Sequence, residues 1–363
     1  MKAWRFYDFE DMRLDDVPAP EVKDGWVLIH VEVCQPSITE IMRARGVPTA
    51  GHDRIKRALA EKAPVQLFGH EFTGRVEALG AGVRGFRIGD RVVANTFAPC
   101  GRCLLCLRGK WLRCREGIRL DGIDTPGCFA EYTVLPANAL MVVPEGISPG
   151  EAATIQPLSA AYAAVRAVDL LGRNVVIFGQ GVMGLNSLQL ARTAGASWIA
   201  VVDVRQDVLG LSRDFGADVI LNATDGDPVE AILAITNGEG ADVVFEAAGG
   251  SPREGLAGLT TVAQAFQVVA MEGTVVQVAN PVGDMSGFNL DAIKRKAVRY
   301  QFPPRAVLDD FAVSVSLVQG GRVRLKPMIT HTVVGLEKLP EAFEITARKR
   351  EFGAINPAQV VVS

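Results

Sequence analysis

The stretch VVIFGQGVMGLNSLQLARTAGASWIAVVDV, residues 175–204, constrains the fold more than any other part of the chain. A short apolar run ends in Gly179, Gly181 and Gly184, the spacing G-x-G-x-x-G, and a helical pattern opens at once. The first glycine permits a tight turn, the second lets backbone approach a pyrophosphate, and the third lets helix and strand pack closely. Val182 and Met183, between the last two glycines, stand at the helix start, where free N–H groups and the positive dipole end face a phosphate. Asp203 closes the next apolar run, nineteen residues past Gly184, where a carboxylate accepts from ribose hydroxyls. It also repels a 2′-phosphate, so the motif predicts NAD rather than NADP. Arg205, two residues on, is the feature that speaks for the phosphorylated cofactor. A glycine-rich turn with no ligand is the bland alternative, and the spacing together with the acid argues against it.

The pattern around this motif is strand–helix alternation. NVVIF, WIAVVD, DVIL, ADVVFEAAG and GTVVQVA are nearly all apolar, as strands covered on both faces are, and helix-like sequence separates them. Residues 1–150 read differently: WVLIHVEV, TGRVEAL, GDRVVA and CFAEYTVL alternate between turn residues, predicting a mostly-β domain. Mixed sequence returns after about residue 297. The expectation is an α/β protein in which a parallel, doubly wound domain at 158–297 is inserted into a domain built from 1–157 and 298–363.

At 363 residues the chain has room for two cores. A net charge of −3 leaves no basic excess for a phosphate backbone, which argues against nucleic acid. No apolar segment approaches a membrane span, and the charged start MKAWRFYDFEDM lacks a signal-peptide core, so the reading is a cytoplasmic protein without a membrane partner. Four of the six cysteines, Cys100, Cys103, Cys106 and Cys114, fall in the lobe at 99–115 as C-x2-C-x2-C-x7-C. Four thiolates in a short loop suit a closed tetrahedral zinc. An iron–sulfur cluster uses related spacings and oxidised pairs are a third option.

With these residues in hand, the chain resembles the zinc-containing medium-chain dehydrogenase/reductase family, of the alcohol, sorbitol and threonine dehydrogenase type. GHEFTGRVEALGAGVRGFRIGDRVVA (69–94), CGRCLLCLRGKWLRC, GCFAEYTVLPA, GADVVFEAAG and ITHTVVGLEKLPEAFE carry the resemblance, in the family's order and nearly end to end. It implies a GroES-like catalytic domain with an inserted Rossmann domain, one structural zinc in the cysteine lobe, hydride exchange between NAD(P) and an alcohol or ketone, and a homodimer or homotetramer.

The resemblance also implies a second, catalytic zinc, and here the sequence departs from the pattern. The family's V-E-A-C-G-I-C-G-T-D-x-H-x-x-R-G falls on residues 31–46, so that Ser37 takes the place of the ligand cysteine and Cys34 that of a non-ligand. Thr39 matches the proton-relay hydroxyl, Glu40 replaces the aspartate and Met42 the relay histidine. His70 and Glu71 match the next ligand and its neighbour, and Gln156 replaces the glutamate of A-x-x-E-P-L-S. A neutral hydroxyl and amide hold zinc poorly. The open outcomes are a weaker zinc on His70, Glu71, Ser37 and Gln156, no catalytic metal with His70 and Glu71 serving as acid or base, or an engineered Ser37. The segment 47–68 is longer than the usual link; HDRIKRALAEK reads as a basic surface helix, or as a lid with His52 as substitute base.

Ser37, Thr39, His70 and Glu71 are thus the expected catalytic residues. The expected function is NAD-dependent hydride transfer on a small-molecule secondary alcohol or ketone, a polyol, cyclitol or functionalised hydroxy compound. The alternatives are a zinc-independent reductase of an activated double bond and a catalytically silent NAD-binding sensor.

Overall fold

The computed structural model describes residues 1–49, 51–120, 122–250, 257–284 and 287–362. Ala50, within the long 47–68 segment, lies outside them, as do residues 251–256 and 285–286 of the inserted domain. The chain divides into two compact units, one comprising 1–156, 306–319 and 324–363, the other 157–305 and 320–323. The return to the first unit therefore comes at Ala306 rather than at residue 298. The reason is a strand: Arg299–Gln301 pairs in parallel with Val269–Gln277 and belongs to the inserted sheet.

The first unit is built on a seven-stranded sheet. Its long strand Trp26–Gln35 alternates buried and half-buried residues along most of its length, the period-2 pattern of a strand with one face on a core. It pairs antiparallel with Glu71–Leu79, with Tyr132–Pro136 near its start and with Gln359–Val361 near its end. The register with Glu71–Leu79 shifts between Val31 and Val33 and then sets Gln35 opposite Glu71. Such an irregularity re-aims side chains where a strand approaches a site. Phe6, Ile29, Leu67, Phe129 and Leu135 fill the core beneath.

The second unit is a six-stranded parallel sheet in the spatial order Val219–Asn222, Trp198–Asp203, Asn174–Phe178, Ala241–Glu246, Val269–Gln277, Arg299–Gln301. Chain order reverses between Asn174–Phe178 and Ala241–Glu246, the switch point at which such sheets open a ligand crevice beyond the strand ends. Val175, Val176, Ile177 and Phe178 are all fully buried, as both faces of this strand are covered. Among the described residues no helix is long and apolar enough to cross a membrane.

Candidate functional site

In the second unit the glycine loop sits at the switch point. Gly179 has φ +85°, and a Cβ there would lie 2.6 Å from backbone atoms of Ala248, in the turn after the neighbouring strand. A Cβ on Gly184 would meet the Gly179 carbonyl oxygen at 1.8 Å, so the helix Val182–Thr193 rests directly on the loop. Gly181 differs: a Cβ there meets nothing within 4 Å. It is the N-cap of that helix and supplies no side-chain cap, so the first N–H groups of Val182 and Met183 remain for an anionic ligand. This cradle fits a dinucleotide pyrophosphate.

Asp203 holds the loop as well as facing it. Its carboxylate accepts from the backbone N–H of Gln180 at 2.5 Å, of Val204 at 2.7 Å and of Arg205 at 3.0 Å. The Arg205 guanidinium turns onto Asp207 through two hydrogen bonds, one of them 3.1 Å from Nε. A residue that pattern reading missed is Glu246, fully buried at the end of its strand. It accepts from Ala248 and Gly249 N–H, from the Thr261 hydroxyl and from Gln277 Nε2, which shapes the turn that Gly179 packs on. The only signal in sequence is an acid ending an apolar strand.

In the first unit the cysteine lobe brings four sulfurs within 4.8 Å of one another. Cys100 Sγ lies 3.9 Å from Cys106 Sγ, and Cys103 Sγ 3.8 Å from Cys114 Sγ. Tetrahedral thiolates at about 2.3 Å from zinc stand about 3.8 Å apart, so the set fits the ion. The N–H groups of Cys103 and Arg102 draw the Cys100 thiol down to about 7. Desolvation and the neighbouring thiols push Cys106 up to about 12. Thiols this close resist ionising together without a cation. All six cysteines are free, the form that a metal site needs.

The remaining polar centre gathers around His70. Ser37 is the N-cap of the short helix Ile38–Ala44 and forms a capping box with Glu40. The Ser37 hydroxyl accepts from Glu40 N–H at 3.2 Å and donates to Glu40 Oε2 at 3.1 Å, while Ser37 N–H donates to Oε2 at 2.9 Å. The other carboxylate oxygen accepts from Gly69 N–H at 2.7 Å and stands 2.6 Å from His70 Nδ1. Glu40 is 1 % exposed, whereas the His70 side chain is 20 % exposed. Burial pushes the His70 imidazole down, but the charge and hydrogen bond of Glu40 outweigh it and raise His70 to about 9. Burial likewise lifts Glu40, and the charge of His70 more than reverses that, leaving it low.

Glu71 approaches from the other side, its Oε1 4.0 Å from His70 Nε2. Its Oε2 accepts from Gln35 Nε2 at 2.5 Å, the cross-strand partner set by the register. Gln35 Oε1 in turn accepts from Asn356 at 2.8 Å and Gln359 at 3.0 Å. Burial raises the Glu71 carboxyl, against the pull of His70. Thus Ser37, Glu40, His70 and Glu71 meet, and Thr39 stands half-buried in the first turn of the same helix. Gln156 lies in the first turn of helix Ile155–Val165. Gln35, Asn356 and Gln359 escaped sequence reading because their role depends on strand pairing across more than 300 residues. Glu40 carried a readable signal, the Ser-x-x-Glu spacing of a capping box, which aligning Ser37 to a ligand position passes over.

The other candidates lie elsewhere. His52 stacks flat on Phe9, centroids 5.2 Å apart, at the start of helix His52–Lys62. That helix buries Ile55, Ala58 and Leu59 and is tied down by an Arg54–Asp124 ion pair at 2.5 Å, so it packs as part of the unit's body. Cys34 is fully buried in the core and Met42 is 2 % exposed.

Residues 23–145 match the family model of the alcohol dehydrogenase GroES-like domain, and residues 182–303 that of zinc-binding dehydrogenases. The L-threonine 3-dehydrogenase of Pyrococcus furiosus is 33 % identical over 328 residues, covering 88 % of this chain and 92 % of the relative. An oxidoreductase of unknown specificity from Escherichia coli superposes with a TM-score of 0.86 at 26 % identity, over 100 % of this chain and 99 % of that one. A zinc-binding dehydrogenase from Sinorhizobium meliloti, solved with NADP, gives 0.82 at 27 % identity, over 99 % and 98 %.

Proposed function

Because the chain belongs to the zinc-containing medium-chain dehydrogenase family, we propose that it oxidises a secondary alcohol bearing a neighbouring polar group, or reduces the matching ketone, with NAD. The observation that carries this reading is the half-buried imidazole of His70, set between the buried carboxyls of Glu40 and Glu71 with the Thr39 hydroxyl on the adjoining helix. Such a set binds a hydroxyl and moves its proton. The relatives support the substrate class, since the hydroxyl that L-threonine offers at C3 is secondary with polar neighbours.

Nicotinamide, when bound, accepts the hydride at C4. The chain's own residues do the rest. Gly181 and the helix N-terminus behind it seat the pyrophosphate, and Gly179 and Gly184 give the close approach. Asp203 receives the ribose hydroxyls and repels a 2′-phosphate, while Asp207 already offsets the Arg205 charge that would otherwise attract one. These features support NAD over NADP. Cys100, Cys103, Cys106 and Cys114 would hold one zinc that keeps the lobe folded and takes no part in the reaction. A reduced four-thiol lobe suits a cytoplasmic location. Exposed Leu104, Leu107 and Trp111 on the lobe support a homo-oligomer.

The test is NADH formation, read at 340 nm, over a panel of L-threonine, vicinal diols, polyols and cyclitols. Turnover on at least one secondary alcohol, with NADP poorer, is expected. Silence across the panel in both directions removes the proposal.

A further inference from the structure

We propose that this chain handles the substrate oxygen without a resident metal, and that His70, held on Glu40, gives and takes the proton there at Nε2. The inference deepens the dehydrogenase reading above and rests on it. Its grounds are the donor set. A catalytic zinc needs about three protein ligands, with anionic donors supplying much of the affinity. Among the described residues, the four lobe cysteines are the only group of three or more His, Cys, Asp or Glu side chains that converge on one point. On the Nε2 side of His70, the side left by the Glu40 contact, the facing donor among the described residues is Glu71 Oε1, at 4.0 Å.

Ser37 does not make up the third. Its hydroxyl is neutral, and its proton and one of its two lone pairs are engaged by Glu40. Turning or ionising it toward a cation would open the capping box and strip a donor from a carboxylate that is 1 % exposed. Glu40 itself lies on the Nδ1 side of the ring, away from Nε2. Met42 offers a buried thioether and Gln156 a neutral amide, neither of them an anionic donor.

The same contacts that disfavour a metal build an acid–base group. Glu40 is immobilised by Ser37 N–H, the Ser37 hydroxyl and Gly69 N–H, and it fixes the imidazole through Nδ1. The opposite nitrogen remains for the reaction, the orientation that carboxylate–imidazole pairs give a general base. Glu71, braced by Gln35, lies alongside Nε2; Arg43 and Lys349 are the cations whose charges reach His70 and Glu71 respectively. In alcohol oxidation the neutral imidazole, the form that gains ground as pH rises toward 9, takes the proton of the breaking substrate O–H bond at Nε2. The C–H bond breaks with its electron pair, which leaves as hydride to the nicotinamide, and the C=O bond forms. The substrate loses two electrons and the cofactor gains them. Ketone reduction runs the same steps backwards, with Nε2–H as the donor. Glu40 acts through His70 and is a positioning residue.

Metal content decides the first half and needs no substrate. The full chain, saturated with zinc and then desalted, is analysed by plasma mass spectrometry beside His70→Asn. One zinc per chain in both is expected. A second equivalent in the wild-type chain overturns the proposal, and does so even if His70→Asn fails to fold. For the second half, His70→Asn should lower kcat by about 10²–10⁴-fold, the usual range for a lost acid–base group, while KM for NAD stays within about twofold. Wild-type kcat in that variant overturns the proton role. Failure of the dehydrogenase reading is distinct from both: it shows as no NADH from any substrate, whatever the metal count.

Discussion

Glu40 accepts from four donors, the Ser37 N–H, the Ser37 hydroxyl, the Gly69 N–H and His70 Nδ1. A buried carboxylate is tolerated only when its lone pairs are used in this way. The pair has a pH signature. His70 in the folded chain sits at about 9, above its ordinary 6.5. Its stabilising share is therefore complete below 6.5 and lost as pH rises through 9. Glu40 is held below its ordinary 4.5, so its share is present above that value and fades on further acidification. Urea unfolding should thus show stability declining from pH 7 to pH 10. Glu40→Gln should remove that decline and cost roughly 3–5 kcal/mol at neutral pH, the range for one partner lost from a buried pair. Ser37→Cys is the complementary change: a thiolate would give the His70 site its third donor, and metal analysis should find a second zinc equivalent. His70 and Glu71, singled out in the sequence, stand side by side in the fold, and Cys34 lies in the core. That Ser37 serves a helix cap was not legible in sequence, because a ligand pattern and a capping box overlap on the same residues.

The glycine loop and the cysteine lobe, as elements, each answer to a local rule. Gly181 and Gly184 look alike in sequence, yet the space around them differs. Gly184→Ala should destabilise the second unit, since its Cβ must displace the Gly179 carbonyl, with a drop in thermal midpoint as the readout. Gly181→Ala should fold normally and weaken NAD binding about tenfold or more by calorimetry, because only the cofactor needs that space. At Asp203 the change to Asn keeps an acceptor for the loop N–H groups and removes the charge. It should shift the kcat/KM ratio of NADP over NAD by about tenfold, near 1.4 kcal/mol. The strands and helices of this unit were readable to within a few residues, since each is a closed local pattern of apolar period and turn. Arg299–Gln301 was not: a three-residue edge strand has too little pattern of its own, and its partner Val269–Gln277 defines it.

For the molecule as a whole, the chain leaves the first unit after Gln156 and re-enters it at Ala306, with 320–323 again part of the second. Light scattering should give a mass of two or four times the 38.8 kDa chain; a monomer at micromolar concentration would remove the oligomer reading. The sequence by itself determined the fold class, the glycine loop and the four-cysteine lobe, because their motifs are written in short spacings that obey sterics and ligand geometry at that range. Only the tertiary structure decided what surrounds His70. Gln35 reaches Glu71 through strand register, Asn356 and Gln359 come from the far end of the chain to brace it, and Gly69 closes on Glu40. Those hydrogen bonds join residues with no common period or motif, so nothing short of the folded sheet brings them together.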